Sequence, residues 1–168
     1  MPPDQAPDLA ADPTAVSAPA TAAPRVEVAG ELAFRSAEAA DAPAVLDFWA
    51  DAAEDSDRPA DSLDAVRRLI ARDPDALVLA LDNDRVVGSI IVGWDGWRCH
   101  LYRLAVAPTH RRRGIARKLI AFAESRFMEY GGTRADAMVL DTNTEAHAAW
   151  RNAGYAPQPN WSRWVKPL

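Results

Sequence analysis

Residues 101–121, LYRLAVAPTHRRRGIARKLIA, leave a chain few ways to fold. The part 101–106 is a short apolar run with no breaker inside it, with the length and residue types of a buried strand. Ala107, Pro108 and Thr109 stop that strand, because proline cannot donate to a ladder. From Ile115 the apolar residues recur at Leu119, Ala123 and Phe127, with Ile120 and Phe122 beside them, which is the spacing of one helix face. Between strand and helix lie Arg111, Arg112, Arg113, Gly114, Ile115 and Ala116.

Strand, basic turn and helix together predict an anion site. The first turn of a helix has N–H groups without intrahelical partners, and the helix dipole adds partial positive charge there. Gly114 lets the backbone approach a bulky anion, and Ala116 keeps the next point of approach small. Three consecutive arginines supply charge and forked donors for phosphate oxygens. Alone, the triplet reads more readily as a solvated face or part of a nucleic-acid patch. The order of parts shifts that balance. No Gly-Lys-Ser/Thr follows, so this is not a Walker loop, and one glycine stands where a dinucleotide fingerprint needs three.

The stretch resembles the acyl-CoA signature of the GNAT superfamily of N-acetyltransferases. That pattern is Arg/Gln-x-x-Gly-x-Gly/Ala after a strand ending Leu-x-Val-x-Pro; here Leu104, Val106 and Pro108 precede Arg111, Gly114 and Ala116. A second group of residues is similar to a later part of the same family: Asn143, Ala146, Trp150, Gly154 and Tyr155 follow the family's Asn-x-x-Ala, aromatic, Gly-Phe/Tyr order. The resemblance runs from about Leu32 to the C-terminus. It implies that Leu104, Ala105, Val106, Arg111, Arg112, Arg113, Gly114, Ile115, Ala116, Arg117, Asn143 and Trp150 contact acetyl-CoA, used as co-substrate. The turn amides would cradle the pyrophosphate, and a splayed strand end would meet the pantetheine arm and thioester.

Composition bounds the partners. At 168 residues the chain has room for one domain with a core. Its net charge of −5 sets a basic turn on an acidic protein, which suits a small anion better than a nucleic acid or an anionic membrane. Cys99 is the only cysteine, so neither an intrachain disulfide nor a cysteine-based zinc site is expected, and no metal is called for. No apolar run approaches membrane-spanning length. Residues 1–29 are rich in Ala and Pro, and the first 24 hold no aromatic residue; they read as a disordered tail ahead of a domain at 30–168. Asp4, Asp8 and Asp12, with no basic residue before Arg25, fit neither a secretory nor a mitochondrial leader, so the expectation is cytoplasmic.

Along the domain, 32–36 reads as the first strand. Asp41, Ala42 and Pro43 open a helix carrying Val45, Leu46, Phe48 and Trp49, which the acidic stretch 51–57 ends. A second helix covers 62–71. Strands at 76–81 and 85–92 flank the hairpin turn Asp82-Asn83-Asp84, and Gly88 suggests a bulge or a close backbone approach. A third strand, 98–106, leads into the basic turn. Gly131 and Gly132 cap the long helix, a strand at 136–140 lies parallel to 101–106, a short helix follows Asn143, and 161–165 reads as the closing strand. The predicted class is α/β (mixed α+β). With the resemblance it becomes the GNAT fold: a mostly antiparallel mixed sheet of six to seven strands, helices on both faces, and a splayed parallel pair at its centre.

The resemblance implies transfer of acetyl from acetyl-CoA to a primary amine in a direct ternary complex. A backbone N–H at about Val106 would meet the thioester oxygen. The family's usual proton donor to the thiolate is a tyrosine at the position of Trp150, and indole cannot serve. Tyr102 is the first candidate to replace it; simple alternation puts it beside His100, Leu104 and Val106, an assignment that a bulge would change. His100 has the intrinsic pKa of a general base, with Asp95 and Asp141 as further candidates acting through water. Trp150 also motivates an alternative, a non-catalytic acyl-CoA-binding module. A nucleic-acid protein stacking bases on its six tryptophans fits the net charge poorly. An exposed edge near Trp161 and Trp164 would leave room for a homodimer. The acidic loop after Trp49 weakly favours a cationic acceptor, and no motif names it.

Overall fold

Leu77, Leu79 and Leu81 are buried on one side of a strand whose Val78 and Ala80 are buried on the other. Such a strand needs cover on both faces, and that requirement sets the layers. The structure is a computed structural model that describes residues 27–29, 32–52 and 60–166; the expected tail through residue 26 and the acidic stretch 51–57 from residue 53 on lie outside the described residues.

Six strands form one sheet in sequence order: β1 (Glu27–Ala29), β2 (Leu32–Ser36), β3 (Leu77–Asp82), β4 (Arg85–Trp94), β5 (Cys99–Val106) and β6 (Ala135–Ala137). Neighbours pair antiparallel as far as β5, and β5 pairs with β6 in parallel. β1 lies just ahead of the domain opening expected near residue 30. Helices α1 (Ala42–Ala52) and α2 (Leu63–Arg72) cover one face through Val45, Trp49, Val66 and Ile70. Helix α3 (Ile115–Glu129) covers the other through Ile115, Leu119 and Phe127, joined by Trp150 of α4 (Thr144–Asn152).

Local chemistry explains the joints. Asn83 and Asp84 both take positive φ, 48° and 63°, which a two-residue hairpin turn requires. Ser62 caps α2, its hydroxyl accepting from the Ala65 amide. Asp41 was expected to cap α1; it instead closes the 3-10 turn Ala39–Asp41, accepting from the Glu38 amide and from both Nη atoms of Arg35. Gly88 sits at a register shift between β3 and β4, and a Cβ there would come within 2.8 Å of Ile115 Cγ2. Its bareness lets α3 settle on the sheet.

Three expectations are corrected. The strand foreseen at 136–140 pairs only as far as Ala137, and residues 138–140 leave the sheet. The cause lies in β5, where the register against β4 shifts between Ser89 and Ile91 and Arg103 takes φ +50°. A bulge bends and twists its strand, and this one carries the end of β5 away from β6. The run 161–165 is not a strand. Pro157 and Pro159 ahead of it cannot donate to a ladder, the Trp161 amide closes a turn on Gln158, and Trp164 is 93% exposed. With no strand beyond β6 among the described residues, the parallel pair stands at the sheet edge and not at its centre.

Candidate functional site

The divergence of β5 and β6 opens a cleft of about 1330 Å³ that passes through the sheet. Leu101 and Leu104 to Val106 form one lip, and Met138 to Leu140 the other. At one end the wall comes from the β5–α3 turn, the start of α3 and one side of α4. At the other it comes from Trp49 and Ala52 of α1 with Arg103.

The turn end is built largely from backbone. Gly114 takes φ +79° at the head of α3, in the left-handed region where glycine carries no Cβ penalty. A Cβ there would meet nothing within 4 Å, so the space beside it belongs to the cleft. No side chain caps the first turn of α3, while Ile115 anchors it in the core at 2% exposure. The helix therefore presents its first amides and its dipole to the cleft. Arg111, Arg112 and Arg117 line the same end, and Arg111 pairs with Glu145 of α4 at 2.6 Å. Among the described residues Glu145 is the one acidic side chain in the cleft wall.

A ladder contact fixes which backbone groups face the gap. The Ala107 amide donates to the Val87 carbonyl at 2.9 Å. Successive residues of a strand direct their N–H groups to opposite edges, so the Val106 N–H points away from β4 and into the cleft. At the bulge, the Arg103 carbonyl accepts from Ser89 Oγ at 2.9 Å, and Ser89 Oγ in turn accepts from the Trp49 indole at 2.8 Å. Ser89 is fully buried, so this chain of bonds pins the bulge from inside the core.

Eleven of the twelve expected ligand contacts converge on this cleft: Leu104, Ala105, Val106, Arg111, Arg112, Gly114, Ile115, Ala116, Arg117, Asn143 and Trp150. Arg113 does not. Its guanidinium turns toward Asp82, 3.7 Å away, which also holds His110 Nε2 at 2.9 Å. Asn143 lines the cleft and caps α4, accepting from the Ala146 amide at 2.8 Å. Trp150 is buried edge-on against Tyr155. Burial and the nearby Glu124 push the Tyr155 phenol far above its ordinary pKa.

His100 and Tyr102 stand outside the cleft wall. The bulge undoes the simple alternation, so Leu104 and Val106 pack in the core on the α3 side with Cys99 and Leu101, and Tyr102 does not share their face. Tyr102 is 45% exposed, its ring tilted against His100 at 6.0 Å, and burial, with the Asp136 and Asp95 carboxylates behind it, raises its phenol pKa. His100 Nδ1 lies 2.5 Å from Asp136 Oδ1. Asp95 accepts from the Arg98 and Trp97 amides, which hold its carboxyl below the usual range. Trp49, Ala52 and Arg103 belong to the cleft; Trp49 and the acidic loop after it are the sequence signals for that region, while Ala52 and Arg103 carry none.

The model of the acetyltransferase (GNAT) family matches residues 42–155. The chain belongs to this family. It is 31% identical over 93 residues to an acetyltransferase of Yersinia pestis, a match covering 55% of this chain and 66% of that protein. In fold it is similar to acetyltransferases of solved structure. The aminoglycoside 6'-N-acetyltransferase of Acinetobacter haemolyticus superposes with TM-score 0.64 at 21% identity, over 80% of this chain and 98% of that one. The diaminobutyrate acetyltransferase of Paenibacillus lautus, solved with its substrate and coenzyme A, gives 0.63 at 20% identity, over 73% and 74%. No helix among the described residues is long and apolar enough to cross a membrane.

Proposed function

We propose that this GNAT protein transfers an acetyl group from acetyl-CoA to a primary amine in a direct ternary complex. One observation carries the reading: the cleft crosses the sheet at the β5–β6 gap, with the Val106 N–H directed into it and the bare, left-handed Gly114 at one end. The donor set fits a pyrophosphate. Arg111, Arg112 and Arg117 give forked cationic donors, and the head of α3 gives backbone amides. Asn143 and Trp150 shape the facing wall.

Acetyl-CoA would supply the acyl group as a thioester, whose carbonyl oxygen gains negative charge as an amine attacks. The Val106 amide, which points into the gap, would take that charge. The acceptor amine approaches from the α1 end, since the turn end holds the phosphates. Water is the proton donor assigned to the departing thiolate in this reading. His100, held by Asp136, and Tyr102 act on the amine only through intervening water. Orientation of the two reactants supplies most of the rate.

Titration of the protein with acetyl-CoA by calorimetry, repeated on Gly114→Asp, tests the cradle. Binding that the variant loses supports the reading, and a parent that does not bind overturns it. Free CoA thiol released in the presence of amines then separates a transferase from a non-catalytic acyl-CoA-binding module. The Trp150 position favours that second reading; it expects binding with no turnover of any amine.

A further inference from the structure

Asp82 stands outside the cleft wall, yet the β5–α3 turn is tied to it. It ends β3, and the sheet fixes its backbone on both sides, opposite Leu32 of β2 and Arg85 of β4. Asn83 and Asp84, both at positive φ, close the hairpin beyond it. The side chain is held as well. Asn83 Nδ2 donates to its Oδ1 at 3.0 Å, and His110 Nε2 donates to its Oδ2 at 2.9 Å. A carboxylate only accepts, so His110 Nε2 carries a proton, and in the neutral ring Nδ1 is left to accept from the Thr109 hydroxyl, 2.9 Å away. Arg113 Nη1 approaches the same Oδ2 at 3.7 Å.

The turn needs such a tie. Arg112 takes φ +62° and Gly114 φ +79°, two left-handed residues within three. Glycine adopts that region freely, and arginine does not. A strained residue of this kind persists only where its surroundings over-determine it. His110 and Arg113 flank Arg112 in sequence, and both reach one carboxylate. The tie to His110 is the stronger. It is a hydrogen bond between side chains 17% and 20% exposed, whereas Arg113 is 44% exposed and its longer pair is screened by solvent. With the turn anchored on the hairpin side, Arg111, Arg112 and Gly114 line the cleft.

We propose that Asp82 is a positioning residue for acetyl-CoA: through His110 it holds the β5–α3 turn in the shape that binds the pyrophosphate. The proposal rests on the cleft being an acetyl-CoA site. Asp82 acts on how often the free turn has the binding shape, and affinity falls in proportion to that fraction. The sign of the effect separates this role from plain electrostatics. A carboxylate beside a phosphate cradle opposes an anion, so removing its charge would by itself tighten binding. Positioning gives the reverse sign when the oxygens that hold His110 are removed.

The test is calorimetric titration with acetyl-CoA of the parent, Asp82→Ala and Asp82→Asn, at one low salt concentration and at a temperature where thermal unfolding shows all three folded. Asp82→Ala should bind about five- to tenfold more weakly than the parent. Asp82→Asn loses the charge but keeps an oxygen for His110, and should stay within about twofold of the parent. A role in stability alone would lower the unfolding temperature of the variants and leave the affinity of the folded protein unchanged. Should Asp82→Ala fail to fold, Asp82→Thr takes its place, because threonine suits a strand and stops one bond short of the carboxylate oxygens. Equal affinity in all the proteins, tighter binding by Asp82→Ala or its replacement, or an Asp82→Asn variant as weak as that one, overturns the proposal and leaves the acetyl-CoA site standing. A parent that binds no acetyl-CoA overturns both.

Discussion

The two ends of the cleft are made in opposite ways. The turn end is nearly continuous in sequence, from Leu104 to Arg117, and much of its work falls to backbone: the Val106 amide, the left-handed Gly114 and the first turn of α3. The α1 end is assembled from side chains on four separate segments: Trp49, Asp61, Ser89 and Arg103. A backbone site needs only small residues at the right places, so its requirements are narrow. A side-chain site can change its ligand by changing any one member. One fold can thus keep a fixed donor while its acceptor varies.

The largest expected effect is at the turn end. Gly114→Asp places a Cβ in the left-handed region and a carboxylate in front of Arg111 and Arg112. Affinity for acetyl-CoA should fall by about 100-fold or more, roughly 3 kcal/mol, with fold stability lower by about 1–2 kcal/mol from backbone strain. Calorimetry and thermal unfolding read the two separately. Gly114→Ala should lie between parent and Gly114→Asp. If it binds like the parent, the bare position has no role in the cradle and the contrast between the two ends collapses.

Ser89→Ala should give the mirror result. It leaves the Arg103 carbonyl and the Trp49 indole without their present partner, at a cost of about 1–3 kcal/mol. The loosened bulge should raise KM for the acceptor several-fold. Acetyl-CoA affinity should hardly change, since the turn end is carried by other segments. A fall in acetyl-CoA affinity matching the rise in acceptor KM would show that the two ends are one rigid unit.

The same contrast explains what the sequence disclosed. Strand, turn and helix around Gly114 are local, and so is the Asp82-Asn83-Asp84 hairpin, so residue order alone revealed them. The bulge at Arg103 is not local. It is fixed by Ser89, fourteen residues away, and through it by Trp49 on another layer. Strict alternation therefore gave Tyr102 the wrong neighbours, although a bulge was the stated exception. The closing strand at 161–165 misled for a related reason: aromatic composition looked like a strand, while the flanking prolines denied it a partner. Arg113 sits in the right triplet yet turns to Asp82, because a side chain at a turn follows the nearest carboxylate more readily than the motif.

Acid should weaken the α1 end before the turn end. Asp41 leads directly into α1, which carries Trp49, and the hydrogen bonds from Arg35 hold its carboxyl below the ordinary range, helped by the Glu38 amide. A carboxyl depressed in the folded state contributes stability that is present above its unfolded pKa, near 4, and lost as pH falls through the lower folded value. Thermal unfolding followed from about pH 5 to about pH 2.5 should show this loss, and Asp41→Asn should start less stable and flatten the slope. An unchanged slope would mean that other carboxylates govern acid unfolding.

The smallest effect is the most diagnostic of charge at the turn end. Glu145 lies on Arg111 at 2.6 Å, in the first turn of α4, where it also meets a favourable helix dipole. For the proposed cradle that carboxylate is a competitor, because a pyrophosphate oxygen must share or replace it on Arg111. Glu145→Gln should therefore tighten acetyl-CoA binding by about two- to threefold at low salt, while lowering stability by about 0.3–0.5 kcal/mol through the lost dipole contact. The two readouts move in opposite directions, which a general change in folding would not produce. Salt should erase the gain in affinity, because Glu145 is 72% exposed and its pull on Arg111 is screened within a Debye length. An affinity gain that persists at high salt would point to a steric effect of the glutamate instead, and would remove Arg111 from the list of phosphate ligands.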